Sequence, residues 1–239
     1  MEFYNSIHSY YDYIFPLNQK QVEWVNAECI QIPSRILDIG CATGNLAVEL
    51  AKKGHILNAF DLDGGMIQLA TQKSSSGNPQ FRRANMLNIE KNYRADFFDV
   101  VVCFGNTLVH LTSESSVLQF FNAVYSVLKP GGKFLIQILN YDFILKNEIE
   151  ELPIIENDRV RFVRQYYFGN DKLIQFKTRL LDKQNDKLIE NTVELYALEK
   201  IQIEALLLKT HFKNIEFRSS FADNSFSPDK LPLIIKVEK

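Results

Sequence analysis

The sequence predicts an α/β protein: an open, largely parallel sheet with helices on both faces, carrying an antiparallel β-rich insertion after its fifth strand. Three observations point there. Short apolar runs alternate with helix-length amphipathic segments between residues 35 and 139, the pattern of successive βαβ units. The run Asp99–Phe104 is apolar throughout after its first residue, as a strand buried on both faces is. After about residue 151 the alternation stops. Three longer β-type runs then follow with turn-length connections, which antiparallel strands can use and parallel strands cannot.

Residues 5–30 read as helical, with a break at Pro16. Arg35–Ile39 reads as the first strand and ends in a glycine turn. Asn45–Lys53 reads as a helix stopped by Gly54. Ile56–Asp61 is the second strand. Asp63 is placed to cap a helix running toward Lys73, and 74–79 reads as a loop. Gln80–Ala84 and Asp99–Phe104 are the third and fourth strands. From Ser113, Val117, Leu118, Phe121, Val124, Tyr125 and Leu128 mark one helix face. Lys129–Gly132 stops that helix, and Lys133–Leu139 is the fifth strand. Arg159–Phe168, Leu173–Leu181 and Leu188–Leu198 read as strands, with turns at Gly169–Asp171 and Asp182–Lys187. A helix at Glu199–Thr210 and strands at Asn214–Phe221 and Leu231–Glu238 complete the pattern. The expected organisation is a core over 1–150, an insertion over 151–198, and a final segment over 199–239 that completes the core sheet.

Composition narrows the function classes. Hydrophobic residues make up 46% and charged residues 23% of 239, enough for a sizeable core. The 27 basic and 29 acidic side chains give a formal charge of −2, so a nucleic-acid partner is disfavoured. Three scattered cysteines and four histidines form no CxxC or HExxH, so no metal site is expected. No apolar run reaches membrane-span length, and Met1–Tyr4 lacks the charged start of a signal peptide. A cytoplasmic protein is expected, with no membrane partner.

The informative segment is Ile36–Asn45, between a predicted strand and a predicted helix. Gly40 and Gly44 let the chain turn sharply and approach a ligand, and Cys41 and Ala42 between them are small. A dinucleotide fingerprint wants Gly-x-Gly-x-x-Gly; Ala42 and Asn45 occupy its second and third glycine positions, which disfavours a nicotinamide enzyme. The phosphate loop Gly-x4-Gly-Lys-Ser/Thr is absent. Asp61 ends the second strand 21 residues after Gly40, where a carboxylate can accept from both hydroxyls of a ribose.

Leu37-Asp-Ile-Gly-Cys-Ala-Thr-Gly44 resembles the first motif of class I S-adenosylmethionine-dependent methyltransferases, with Ala42 in place of the second glycine. Ala59–Met66, Phe98–Phe104 and Leu128–Phe134 resemble three further segments of that family, in the same order. The resemblance implies a Rossmann-like seven-stranded methyltransferase sheet with helices on both faces, whose last pair is an antiparallel hairpin. It implies S-adenosyl-L-methionine as cofactor, lined by Gly40, Cys41, Ala42 and Gly44. Asp61 would hold the ribose, Leu62 and Met66 would lie near adenine, and Asn85 and Met86 would meet the adenine edge. Phe104 to Asn106 would pass beneath the methyl group. Tyr11, in Tyr10-Tyr-Asp-Tyr13, would contact the cofactor from a helix that closes over it.

The sulfonium makes the methyl carbon electrophilic, so the protein chiefly aligns a nucleophile behind the carbon–sulfur bond. On the loop after the fourth strand, Asn106 offers donor and acceptor and His110 is expected to titrate near neutrality. No Asn/Asp-Pro-Pro-Tyr/Phe follows that strand and no proline precedes Cys103, which disfavours known base and amide methylation patterns. Ala84–Leu87, Phe104–Leu108 and Leu139–Asp142 are similar to segments of the glycine and sarcosine N-methyltransferases, in which an arginine stands where this chain has Leu139. Tyr141 is a further candidate for the pocket. The expected substrate is a small molecule with a nitrogen or oxygen acceptor. Methylation of tRNA or protein, and a non-catalytic cofactor-binding module, stand as alternatives. The insertion, with Arg161, Arg164, Gln165, Tyr166 and Tyr167, is either a substrate cap or the contact of a homodimer.

Overall fold

The computed structural model describes residues 6–74, 77–169 and 172–239. The predicted start of the first helix, part of the 74–79 loop and part of the Gly169–Asp171 turn lie outside the described residues. Seven strands form one sheet: β1 (Arg35–Ile39), β2 (Ile56–Asp61), β3 (Gln80–Arg83), β4 (Phe98–Cys103), β5 (Leu128–Leu139), and, late in the chain, Lys213–Arg218 and Pro232–Glu238. Four more, β6 (Glu151–Glu156), β7 (Val160–Phe168), β8 (Leu173–Asp182) and β9 (Lys187–Tyr196), form a separate antiparallel sheet, so the late pair become β10 and β11. The large sheet runs β10-β11-β5-β4-β1-β2-β3. Its β1 to β5 pair in parallel, and β11 pairs antiparallel with both β5 and β10.

The order reverses between β1 and β4, which lie side by side with Ile36 opposite Val100. Connections leave these two strands in opposite directions, and the crevice at their carboxyl ends is where such sheets take ligands. Alternation along β4 explains its unbroken apolar run. Val100 and Val102 pack with Trp24, Leu50 and Leu57 on one face; Phe98, Val101 and Cys103 pack with Phe120, Phe121 and Phe134 on the other.

The helices are α1 (Tyr11–Ile14), α2 (Gln19–Glu28), α3 (Asn45–Lys52), α4 (Gly64–Gln72), α5 (Ile89–Asn92), α6 (Glu114–Val127), α7 (Tyr141–Lys146) and α8 (Lys200–Lys209). Helix α6 starts where Ser113 accepts from Ser116 N, and its buried Val117, Phe120, Phe121 and Val124 face the sheet. Burying each such side chain is worth about 1.5–3 kcal/mol. The break at Pro16 separates α1 from α2 as expected.

Several boundaries differ from the sequence reading. Strand β5 begins at Leu128, because Lys129–Gly132 forms an irregularity within the strand: Phe98 pairs with Leu128, then Val100 with Lys133. Strand β10 ends at Arg218, and Phe221 instead packs on Trp24 and Phe104. Tyr141, expected at a strand end, opens α7, whose cap is Asn140 accepting from Phe143 N. Strand β6 was not anticipated. Its Pro153 breaks the β-pattern, and it is tolerated because β6 is an edge strand.

The insertion sheet is fastened to the core through the N-terminal helix. Ile7, Tyr10 and Ile14 pack against Val160, Phe162 and Leu180. The Tyr10 hydroxyl donates to Asp182 Oδ2 at 2.9 Å, which also accepts from Arg159 Nη2 at 3.1 Å. On its other side α1 is held to the glycine turn: Asp12 accepts from Thr43 Oγ1, from Asn45 Nδ2 at 2.9 Å and from Lys73 Nζ at 2.6 Å.

Candidate active site

The glycine turn is held from two sides. Gly40 has φ +69°, and a Cβ there would lie 2.5 Å from Thr107. Gly44 has φ +77°, and a Cβ there would meet the Phe81 ring at 2.6 Å. Glycine is therefore required at both positions for backbone angle and for space. Between them, Ala42 adopts φ +48°, a left-handed conformation that costs an alanine about 1 kcal/mol. Its N–H donates to Asp61 Oδ2 at 2.9 Å, and Asp63 N donates to Asp61 Oδ1 at 2.9 Å. Asp61 is thus fixed by one backbone donor on each oxygen, and each oxygen keeps lone-pair capacity for a further donor. Burial raises its pKa, against which these backbone bonds act. Asp63 takes the capping role, accepting from Met66 N at 2.9 Å.

Two cavities meet at this turn. The larger, about 790 Å³, is bordered by Tyr11, Gly40, Ala42, Asp61, Leu62, Met66, Asn85, Met86 and His110 among the expected residues. Asn85 caps the short 3-10 turn that follows β3, its Oδ1 accepting from Leu87 N at 2.9 Å, which leaves its amide donors to the cavity. The smaller, about 450 Å³, is bordered by Tyr11, Gly40, Cys41, Ala42, Phe104, Asn106 and His110. Tyr11, Gly40, Ala42, Gly105 and His110 border both, and so mark the junction. Two expected residues border neither. Gly44 lies under Phe81, and Tyr141 is fully buried behind Asn106.

The loop after β4 is tied to β5 and to Tyr141 by hydrogen bonds. Gly105 N donates to Gln137 Oε1 at 2.8 Å, and a Cβ on Gly105 would meet nothing within 4 Å, so open space lies above it. Asn106 has φ +66°. Its Oδ1 accepts from Leu139 N at 3.0 Å and its Nδ2 donates to the Tyr141 hydroxyl at 3.1 Å. Both ends of the Asn106 side chain are therefore engaged with the protein. Burial pushes the Tyr141 hydroxyl up to about 12 and the His110 imidazole down to about 4. His110 is then neutral at pH 7, contrary to the expectation that it titrates near neutrality, because desolvation disfavours its charged form. Burial also raises the Tyr11 hydroxyl and the Cys41 and Cys103 thiols, so none is ionised at neutrality.

Sequence reasoning overlooked Asp38. It lies in mid-sheet on β1, opposite Ala59 and Val102, is 3% exposed, and borders the smaller cavity. Its Oδ2 has no hydrogen-bond partner. Burial, and then the nearby Asp61, raise its pKa to about 7. A carboxylate inside the apolar run Ile36-Leu-Asp-Ile39 was the available signal. Also overlooked were Leu152, Phe162, Phe176 and Leu195, which bring the insertion sheet onto the smaller cavity. Arg164 and Tyr166 join them, while Arg161 and Tyr167, at alternate positions, are exposed.

The two carboxylates fit a ligand with a diol at one end and a cation at the other. Asp61 accepts, and an orphaned buried carboxylate oxygen at Asp38 wants positive charge. Among the described residues, no group of three or more His, Cys, Asp or Glu side chains could hold a metal ion, and no helix is long and apolar enough to cross a membrane.

Comparison with known proteins agrees with this geometry. Residues 36–132 match the family model described as a methyltransferase domain. The chain is 26% identical to YqeM of Bacillus subtilis over 222 residues, 91% of this chain and 88% of that protein. It is 31% identical to glycine N-methyltransferase of Rattus norvegicus over 123 residues, 46% of this chain and only 42% of that enzyme. The crystal structure of an S-adenosylmethionine-dependent methyltransferase from Clostridium acetobutylicum shares the fold, with a TM-score of 0.83, 21% identity and 98% of each chain covered.

Proposed function

We propose that the chain is a class I S-adenosylmethionine-dependent methyltransferase whose acceptor is a small molecule methylated at nitrogen or oxygen by in-line displacement. The observation that carries this reading is the smaller cavity. Its volume, about 450 Å³, suits a small molecule, and it opens from the glycine turn onto a wall supplied by the insertion sheet. The rat relative, by its name, methylates glycine, a small molecule.

When bound, the cofactor supplies a methyl group already activated on a sulfonium. The remaining work falls to the chain. Asp61 accepts from the ribose hydroxyls, and charged acceptors of this kind contribute about 1.5–3 kcal/mol per bond. Asp38 faces the ammonium of the methionine portion and gives up its proton to do so. Gly40, Cys41 and Ala42 keep the backbone open beside that portion, with Gly44 holding the turn from behind. Leu62, Met66, Asn85 and Met86 border the adenine, and Tyr11 covers it from α1. Phe104 to Asn106 form the floor beneath the transferred group, and Tyr141 keeps Asn106 in position. His110, at the junction, is a neutral and weakly basic acceptor. A nitrogen acceptor therefore arrives unprotonated, while an oxygen acceptor needs an acidic hydroxyl. The insertion sheet acts as the substrate cap.

The test is formation of S-adenosylhomocysteine when the protein is given the cofactor with a metabolite extract, total tRNA or a protein extract. Product with the metabolite extract alone is expected. Product only with tRNA or protein overturns the small-molecule reading, and none with any of the three favours a non-catalytic binding module.

A further inference from the structure

Arg164 is the feature of the smaller cavity that the transfer itself does not use. It borders the cavity from β7, on a wall it shares with Leu152, Phe162, Tyr166, Phe176 and Leu195. Its Nη2 donates to Pro153 O at 2.6 Å, while Nε is buried and has no partner. Among the described residues no carboxylate forms an ion pair with it. The other arginines of this sheet are paired: Arg159 with Asp182, Arg161 with Glu156, Arg179 with Glu190. A guanidinium carries five donors, and Pro153 O is the one acceptor among the described residues that a hydrogen bond gives it. Desolvation lowers the pKa of this side chain, yet an arginine keeps its charge. A half-buried cation with no counter-charge beside it is costly unless something completes it.

We propose that the acceptor carries a carboxylate that docks on the Arg164 guanidinium, with an apolar body against Phe162 and Leu195. The inference rests on the methyltransferase reading of the same cleft and adds the substrate class. A single guanidinium matches a monoanion. A phosphate monoester would bring a second charge into a wall that holds no second cation, since Arg164 is the one Lys or Arg bordering this cavity. A guanidinium fork is the group that a planar carboxylate accepts from most readily. Gly105 and Asn106 lie on the floor of the same cavity, so a molecule anchored at Arg164 spans from the insertion sheet to the loop where the methyl group is delivered.

The test is titration of the S-adenosylhomocysteine-bound protein with aromatic monocarboxylates, each paired with its neutral amide, together with phenyl phosphate. Phenylacetate and phenylacetamide are the first pair. Carboxylates are expected to bind at least about tenfold more tightly than their amides, the value of one charge-assisted pair. Phenyl phosphate is expected to bind more weakly than phenylacetate. Arg164→Gln should abolish the carboxylate preference and Arg164→Lys should restore part of it, with S-adenosylhomocysteine affinity within about twofold of wild type. Absence of a carboxylate preference across the panel, absence of binding by every member, or a preference that survives in Arg164→Gln overturns the inference. Tighter phenyl phosphate binding overturns the carboxylate assignment. Failure of the wild-type protein to bind S-adenosylhomocysteine at all is a different outcome, which strikes the cofactor reading first.

Discussion

The carboxyl edge of the seven-stranded sheet and the inner face of the four-stranded sheet border one cleft, but they are made of different material. The first uses backbone turns, two glycines and two short carboxylates, Asp38 and Asp61, with positions set by strand ends. The second uses long side chains on a pleated surface, among them Phe162, Arg164 and Tyr166, at every second residue of β7. A site of the first kind recognises polar groups at fixed positions. A site of the second kind takes its shape from side-chain size, and changing one residue reshapes it.

That contrast can be broken by experiment. The largest effect is expected at Asp61. Replacing it with Ala removes the acceptor proposed for the cofactor's hydroxyls and frees the Ala42 and Asp63 amides, an expected loss of about 3 kcal/mol or more, beyond a hundredfold. Calorimetry with S-adenosylhomocysteine reads it, and wild-type affinity in this variant would undo the assignment of the first wall. Leu195→Ala comes next. Its side chain is buried, so truncation costs about 2–5 kcal/mol of stability. Because the residue lies on the second wall, KM for the acceptor should rise while S-adenosylhomocysteine affinity stays within about threefold. If both change equally, the two walls are not separable.

Asp38 sharpens the comparison through pH. Its folded pKa of about 7 exceeds the ordinary carboxylate value, so the folded free protein holds a proton that the unfolded chain releases above about pH 4. Stability of the free protein therefore falls as pH rises from about 4 to 7. A cationic ligand favours the ionised form, so cofactor affinity should rise as pH passes upward through 7, with release of a proton. Asp38→Asn should flatten that dependence, weaken S-adenosylhomocysteine binding about tenfold at pH 8 and raise the melting temperature. Unchanged pH dependence in the variant would remove Asp38 from the cofactor's contacts. The smallest effect is expected at Ala42→Gly. Relief of the left-handed alanine is offset by the extra freedom of glycine in the unfolded chain, leaving a change of about 1 kcal/mol or less in thermal unfolding.

The two walls also differed in how plainly the sequence announced them. Gly40, Gly44 and Asp61 were legible because their roles depend on backbone angle and on spacing along adjacent parallel strands, both of which are local. The alternation that buries β4 was legible for the same reason. The inner face of β7 was not. Which of Arg164 and Gln165 meets the cavity depends on how one sheet is set against another, and no local pattern encodes that. Strand β6 was hidden by Pro153, and the start of α7 at Tyr141 by its place at a strand-to-helix junction. Asn106 was visible as a polar loop residue, but its ties to Leu139 and Tyr141 bridge more than 30 positions of chain.

Helix α1 carries a consequence of its own. One turn of helix bears the Asp12 ties to Thr43, Asn45 and Lys73, and the Tyr10 just before it holds Asp182 of the insertion. On the proposed reading, departure of spent cofactor past Tyr11 and release of methylated product past Phe162 would share one latch. Ionic strength, which weakens the half-exposed Lys73–Asp12 pair, should hasten both exits together.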